Sequence, residues 1–122
     1  MIELTQIPNT NIVEMDIAGS VSAEEFDRVL AELEQIIKQH GSIRVLEIIG
    51  TLDTPPIPWS RFWDDIRFGF EHLGDISHAA VVADQGWIRR YVNFLDPLLK
   101  PEIKTFKLAE IEVAREWLKS AV

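Results

Sequence analysis

Residues 43–49 read IRVLEII. A short run this apolar, rich in β-branched residues and bounded by glycines at 41 and 50, is the signature of a central parallel strand covered on both faces. Two charges interrupt it, Arg44 and Glu47. Alternation along a strand sends them to opposite faces, so they cannot pair with each other. A buried carboxylate needs a partner. The expected place for Glu47 is therefore a strand end at the solvent margin, with a perturbed functional acid as the sharper alternative.

Upstream of this run the punctuation is clear. Ser22 and Glu25 have capping-box spacing. Phe26, Val29, Leu30, Leu33, Ile36 and Ile37 recur at helical spacing, and Gly41 suits a C′ stop. This predicts a helix from about Ala23 to His40. Earlier still, IELTQ (2–6) and IVEMDI (12–17) flank a turn built from Pro8, Asn9 and Asn11. Val13, Met15 and Ile17 share one strand face, while Glu14 and Asp16 share the other. A half-exposed antiparallel pair is expected, ended by Gly19.

Downstream, Gly50 opens a proline-braced loop, TLDTPPIPW (51–59). Ser60 is the expected N-cap of a helix whose stripe is Phe62, Trp63, Ile66, Phe70 and Leu73, stopped by Gly74. ISHAAVVAD (76–84) reads as a buried strand with small residues for close packing. Asp84 suits the N-cap of a helix with Trp87, Ile88, Tyr91, Val92 and Leu95 inward, limited by Pro97. EIKTFK (102–107) reads as a short strand near an edge. A last helix carries Ile111, Ala114, Trp117, Leu118 and Ala121. The order β-β-α-β-α-β-α-β-α implies an α/β fold with a mixed, mostly parallel sheet and right-handed crossovers. At 122 residues, one domain spanning 1–122 is expected.

Composition limits the function classes. Net charge is −8, which argues against binding to nucleic acid phosphates or anionic membranes. The absence of cysteine excludes disulfides, thiol catalysis and Cys-ligated metals. No apolar run is long enough to span a membrane. The opening MIELTQIPNTN lacks the basic start and apolar core of a secretory leader, so a cytoplasmic location is expected.

The strand AAVVAD, the following GWIRRY, the strand IKTF and the closing IEVAREWL together resemble the SpoIIAA-like family, which is related to STAS domains and has the fold of anti-sigma-factor antagonists. In that family a strand ending in Asp leads into a Trp-containing helix, and an Ala-x-x-Trp-Leu pattern closes the chain. Asp84, Trp87, Ala114, Trp117 and Leu118 match this pattern, and the likeness covers essentially the whole chain. It implies a regulatory or binding module. True antagonists carry a phosphorylatable Ser or Thr after the third strand, in an Asp-Ser motif at a helix start. Asp53-Thr54 falls there, which makes Thr54 the candidate phosphorylation position. Pro55 and Pro56 follow it, and they lack the amides a phosphate would use.

Ligands of open α/β sheets sit beyond the carboxyl ends of the parallel strands. Two such ends carry an Asp followed by a Trp: Asp53 with Trp59, and Asp84 with Trp87. If the two strands are neighbours, these loops share a rim. The functional reading is an apolar slot floored by Trp59, Trp63 and Trp87 with acids at its mouth. The plainer reading makes Trp63 and Trp87 core and Asp84 a cap. Trp59 precedes its helix on a structured loop and is the better candidate for exposure. Phe68 and Phe94 fall off their stripes and leave room for a homodimer or ligand patch. Arg89 and Arg90 read as surface ion-pair partners.

The catalytic signals are thin. His40, His72 and His78 do not cluster, and no metal-ligand spacing or cofactor motif appears. Asp64-Asp65 reads as a solvated acidic face. No nucleophile elbow, dinucleotide or P-loop motif is present. The leading expectation is a non-catalytic binding module for a partner protein or a small apolar ligand, needing no cofactor. The alternative is a small enzyme using Asp53, Asp84 or Glu47 in a Trp-lined pocket.

Overall fold

The computed structural model describes residues 1–20, 22–52, 76–83 and 102–121. Five strands, β1 (Ile2–Gln6), β2 (Ile12–Gly19), β3 (Ile43–Leu52), β4 (Ile76–Ala83) and β5 (Glu102–Phe106), lie in the order β1-β2-β3-β4-β5. β1 is antiparallel to β2, and every other neighbouring pair is parallel. Two α-helices are described, α1 (Ala23–His40) and α2 (Ile111–Ser120), the second preceded by a 3-10 turn at Leu108–Glu110. The helices expected after Ser60 and after Asp84 lie outside the described residues.

Local chemistry sets the ends of α1. The Ser22 hydroxyl accepts from the Glu25 N–H at 3.2 Å. Gly41 has φ 83°, a left-handed conformation that favours glycine, and donates its N–H to the Ile37 carbonyl. The other half of the expected capping box is corrected. The Glu25 carboxylate instead accepts from the Ile2 N–H at 3.1 Å, close to the Met1 amino group. An outward-facing amide on the edge strand β1 and a cationic terminus draw it there.

The two faces of the sheet bury separate cores. On one, Val13, Met15, Ile17, Val45, Ile49 and Val81 meet Val29, Leu33, Ile36 and Ile37 of α1. On the other, Ile12, Leu46, Ala80 and Val82 meet Ala114 and Leu118 of α2. Each fully buried Leu or Ile contributes about 1.5–3 kcal/mol. Ala80 on the centre of the second face lets α2 approach closely.

Two expectations change here. β2 is not half-exposed along its length, because α2 covers part of its second face. Glu14 is half-buried there and receives Arg115 of α2 through Nε and Nη2, both at 3.1 Å, while Asp16 remains exposed. Nor does Gly50 open the loop: β3 continues to Leu52. A bulge between Ile17 and Gly19 of β2 restores pairing of Gly19 with Leu52. Gly19 takes φ 65° in doing so, and a Cβ on Gly50 would stand 3.4 Å from that of Ala18. Both glycines thus serve strand pairing.

Candidate functional site

β2, β3, β4 and β5 run in the same direction, so their carboxyl ends form one rim. Ile49 of β3 pairs with Ala83 of β4, and Val82 of β4 pairs with Phe106 of β5. β3 then runs on to Leu52, alongside Gly19 of β2. The segments beginning at Asp53 and at Asp84 therefore leave from adjacent strands, which meets the condition on which the shared-rim reading depends. Asp53, Thr54, Trp59, Trp63, Asp84 and Trp87 themselves lie outside the described residues, as do Phe68, Phe94, Arg89 and Arg90.

Glu47 is the anomalous group. It was expected at the solvent margin, but it is 1% exposed. The reason is geometric. With β3 extending to Leu52, Glu47 sits mid-strand on the central strand, between Met15 of β2 and Val81 of β4 in register. It shares a face with Val45 and Ile49, toward the α1 core. Its Oε2 has no hydrogen-bond partner among the described residues. Burial pushes the carboxyl up to about 8, so it is neutral at pH 7. A neutral carboxyl in an apolar layer can donate one hydrogen bond and accept others. Arg44 offers no relief, since it faces the other way as the alternation requires.

At the opposite end of the sheet the polar groups are paired. Arg44 donates from Nη1 to the carbonyls of Leu118 at 2.7 Å and Ala121 at 3.2 Å, and from Nε to Asn11 Oδ1 at 2.7 Å. It caps the carboxyl end of α2, where unpaired carbonyls favour a cation. Sequence reasoning gave Arg44 no such role, because its partners are far away in the chain. His78 Nε2 lies 3.6 Å from Glu102, its Nδ1 lies 3.0 Å from Ser77 Oγ, and its ring meets Trp117 edge-on at 5.6 Å. Lys104 Nζ lies 5.2 Å from the Trp117 ring. This cluster is at the amino end of β4, away from the rim, as the position of His78 in its strand predicts. His40 closes α1 with Nε2 3.1 Å from the Gln6 side-chain amide. Among the described residues, no three His, Cys, Asp or Glu side chains come together as a metal site would require. No helix among them is long and apolar enough to cross a membrane.

The four-strand rim, the N-terminal hairpin and α2 with Ala114, Trp117 and Leu118 are the described part of the arrangement that the sequence resemblance implied. A SpoIIAA-like family profile matches residues 12–119. The chain belongs to the SpoIIAA-like family. Among solved structures it is similar to an uncharacterized protein with a SpoIIAA-like fold from Shewanella loihica PV-4, at a TM-score of 0.68 and 16% identity, covering 97% of this chain and 92% of that one. Identity this low speaks for the fold alone. A search of curated proteins returned no match. The SpoIIAA-like fold is one commonly used as a regulatory or binding module.

Proposed function

We propose that residues 1–122 act as one non-catalytic binding module that takes a partner protein or a small apolar ligand at the loops following β3 and β4. The observation that carries this is the parallel pairing of Ile49 with Ala83. It brings the starts of both Asp-to-Trp segments to one rim, where ligands of open α/β sheets bind. Trp59 supplies the apolar contact, Trp63 and Trp87 the floor, and Asp53 and Asp84 the polar mouth. The prolines at 55, 56 and 58 stiffen the first loop and lower the entropic cost of binding. Phosphorylation at Thr54 would add charge at this mouth and switch the partner off or on. A homodimer through the segment 59–73 and a cytoplasmic setting fit the same reading.

The test is native mass spectrometry of the protein purified from its own host, beside a Trp59→Ala variant. A co-purifying molecule lost in the variant is the expected result for a small ligand. A bare chain in both preparations rejects the small ligand and leaves the protein partner, which affinity capture with and without Trp59→Ala then tests. A phosphate increment that disappears in Thr54→Ala supports the switch.

One observation favours a second reading, a small enzyme. Glu47 is a buried, neutral carboxyl without a partner among the described residues, the state in which carboxylic acids serve as general acids near neutral pH. Asp53 or Asp84 could then provide a second carboxylate at the rim. Loss of a measured turnover in Glu47→Gln, with the fold retained, would support it.

A further inference from the structure

β5 ends the sheet on the side away from β1 and pairs in parallel with β4. Alternate residues of an outer strand turn N–H and C=O away from their neighbour. Among the described residues, nothing beyond β4 takes those groups of β5. The stretch open to pairing is bounded at both ends. Pro101 precedes it and has no N–H to offer. After it, the Lys107 N–H is taken by Glu110 Oε1 at 2.8 Å as the chain enters the 3-10 turn.

Strand alternation puts Glu102 and Lys104 on one face of β5, the α2 side. Glu102 stands opposite His78 in register there, and Lys104 Nζ lies 5.2 Å from the Trp117 ring. Both charges have capacity left. Lys104 is exposed and has no anionic partner among the described residues. Glu102 has His78 Nε2 at 3.6 Å, an ion pair only when the imidazole is protonated, and its side chain is 62% exposed. A lone lysine on an outer strand deters pairing. A lysine two residues after a glutamate on the same face instead makes the strand complementary to its own copy, in one register. Two copies related by a two-fold axis pair such strands antiparallel. With Ile103 opposite Ile103 of the second copy, each Glu102 faces the other copy's Lys104. An axis at Glu102 or at Lys104 sets two like charges face to face.

We propose that β5 pairs with itself: a second copy of this chain adds its own β5 antiparallel, centred on Ile103, and continues the sheet across a two-fold axis. The main chain of Glu102–Phe106 supplies the hydrogen bonds, and two Glu102–Lys104 contacts set the register. A wholly basic or wholly acidic foreign strand fits less well, because it matches one of these charges and meets the other with its like. The net charge of −8 opposes association at long range, and so short a strand buries little area, so the contact is weak and depends on concentration. Antiparallel pairing places the carboxyl-end rims of the two copies at opposite ends of the joined sheet. The contact is separate from those rims and from the segment 59–73.

The experiment is sedimentation equilibrium of the full chain from about 10 µM to about 1 mM, with amide hydrogen exchange followed by NMR over the same range. The expected result is a monomer–dimer equilibrium in which exchange slows at β5 amides and stays constant at β1. Glu102→Lys or Lys104→Glu alone sets like charges opposite at both contacts and should weaken the dimer about tenfold. Mixing the two single variants should form a heterodimer at the wild-type affinity, because their strands again carry opposite charges. The double variant, with both substitutions in one chain, should dimerise as the wild type does. Both side chains are exposed, so the melting profiles should be retained. A wild-type chain that stays monomeric up to about 1 mM would overturn the proposal. So would a dimer that neither single variant weakens, or single variants that stay apart when mixed. A dimer lost in Phe68→Ala and indifferent to the β5 charges would belong to the segment 59–73 and also overturn it. None of these outcomes depends on Trp59 or on a ligand at the rim.

Discussion

Arg44 and Glu47 stand on the same strand and face opposite layers of the molecule. Arg44 reaches four oxygens, on Asn11, Leu118, Lys119 and Ala121, and ties β3 to the end of α2. Glu47 meets Met15 and Val81 across the sheet, and its Oε2 has no partner among the described residues. The first arrangement is what a fold needs, since a charge shared among unpaired carbonyls satisfies both sides. The second costs stability: an apolar side chain of similar size would serve the α1 core better. A carboxyl kept where packing gains nothing from it is the strongest hint of a role beyond the fold.

Substitutions at five positions can break or sharpen this contrast. Leu33→Ala in the α1 core and Leu118→Ala in the α2 core should each lose about 2–5 kcal/mol in urea unfolding, which calibrates the two faces against each other. Arg44→Ala should lose about 2 kcal/mol, with Arg44→Lys recovering only part because an ammonium cannot fork between Asn11 and the α2 carbonyls. If Arg44→Ala unfolds at the wild-type midpoint, the capping account fails.

Glu47→Gln should show its effect as a dependence on pH. The folded carboxyl titrates at about 8 and the unfolded one at the ordinary 4.5. Between these values the folded state holds a proton that the unfolded state has released. The Glu47 contribution to stability is therefore greatest below pH 4.5, falls as pH rises toward 8 by up to about 1.4 kcal/mol per unit, and levels off above. The variant should lack that slope, so it gains on the wild type from pH 5 to pH 8. Parallel unfolding midpoints for the two proteins across this range would mean that Glu47 is already ionised or finds a partner. Arg115→Ala should have the smallest effect, under about 1 kcal/mol and reduced by salt. Its pairs with Glu14 and Glu112 are partly solvated, and Arg115 is 33% exposed.

Much of the fold was legible because its signals are local. Ser22 and Gly41 bracket α1 at Ala23–His40, the limits their chemistry predicts. Alternation in IELTQ and IVEMDI gave the hairpin and its buried face, with Val13, Met15 and Ile17 inward. The carboxyl end of β3 was less legible. Gly50 reads as a strand breaker in sequence, but its missing side chain accommodates Ala18 of the neighbouring strand. That single misreading also displaced Glu47 to a solvent margin, since the apparent strand ended two residues beyond it. The bonds of Arg44 to Leu118 and of Arg115 to Glu14 join residues 74 and 101 positions apart, and no local pattern announces them. For the candidate site, the sequence supplied the residue types and the structure supplies the adjacency of the strands that lead into them.

The split between the two cores also sets an order in time. The described members of the α1-side core all lie within residues 2–83, whereas the other core is completed by Ala114 and Leu118. During synthesis, the α2 part of the face bearing Leu46, Ala80 and Val82 arrives only after every described member of the other core. At ordinary translation speeds that wait is roughly 2–7 seconds. For that interval this face lacks the cover of Ala114 and Leu118, and the docking of Arg44 onto α2 marks the moment it arrives.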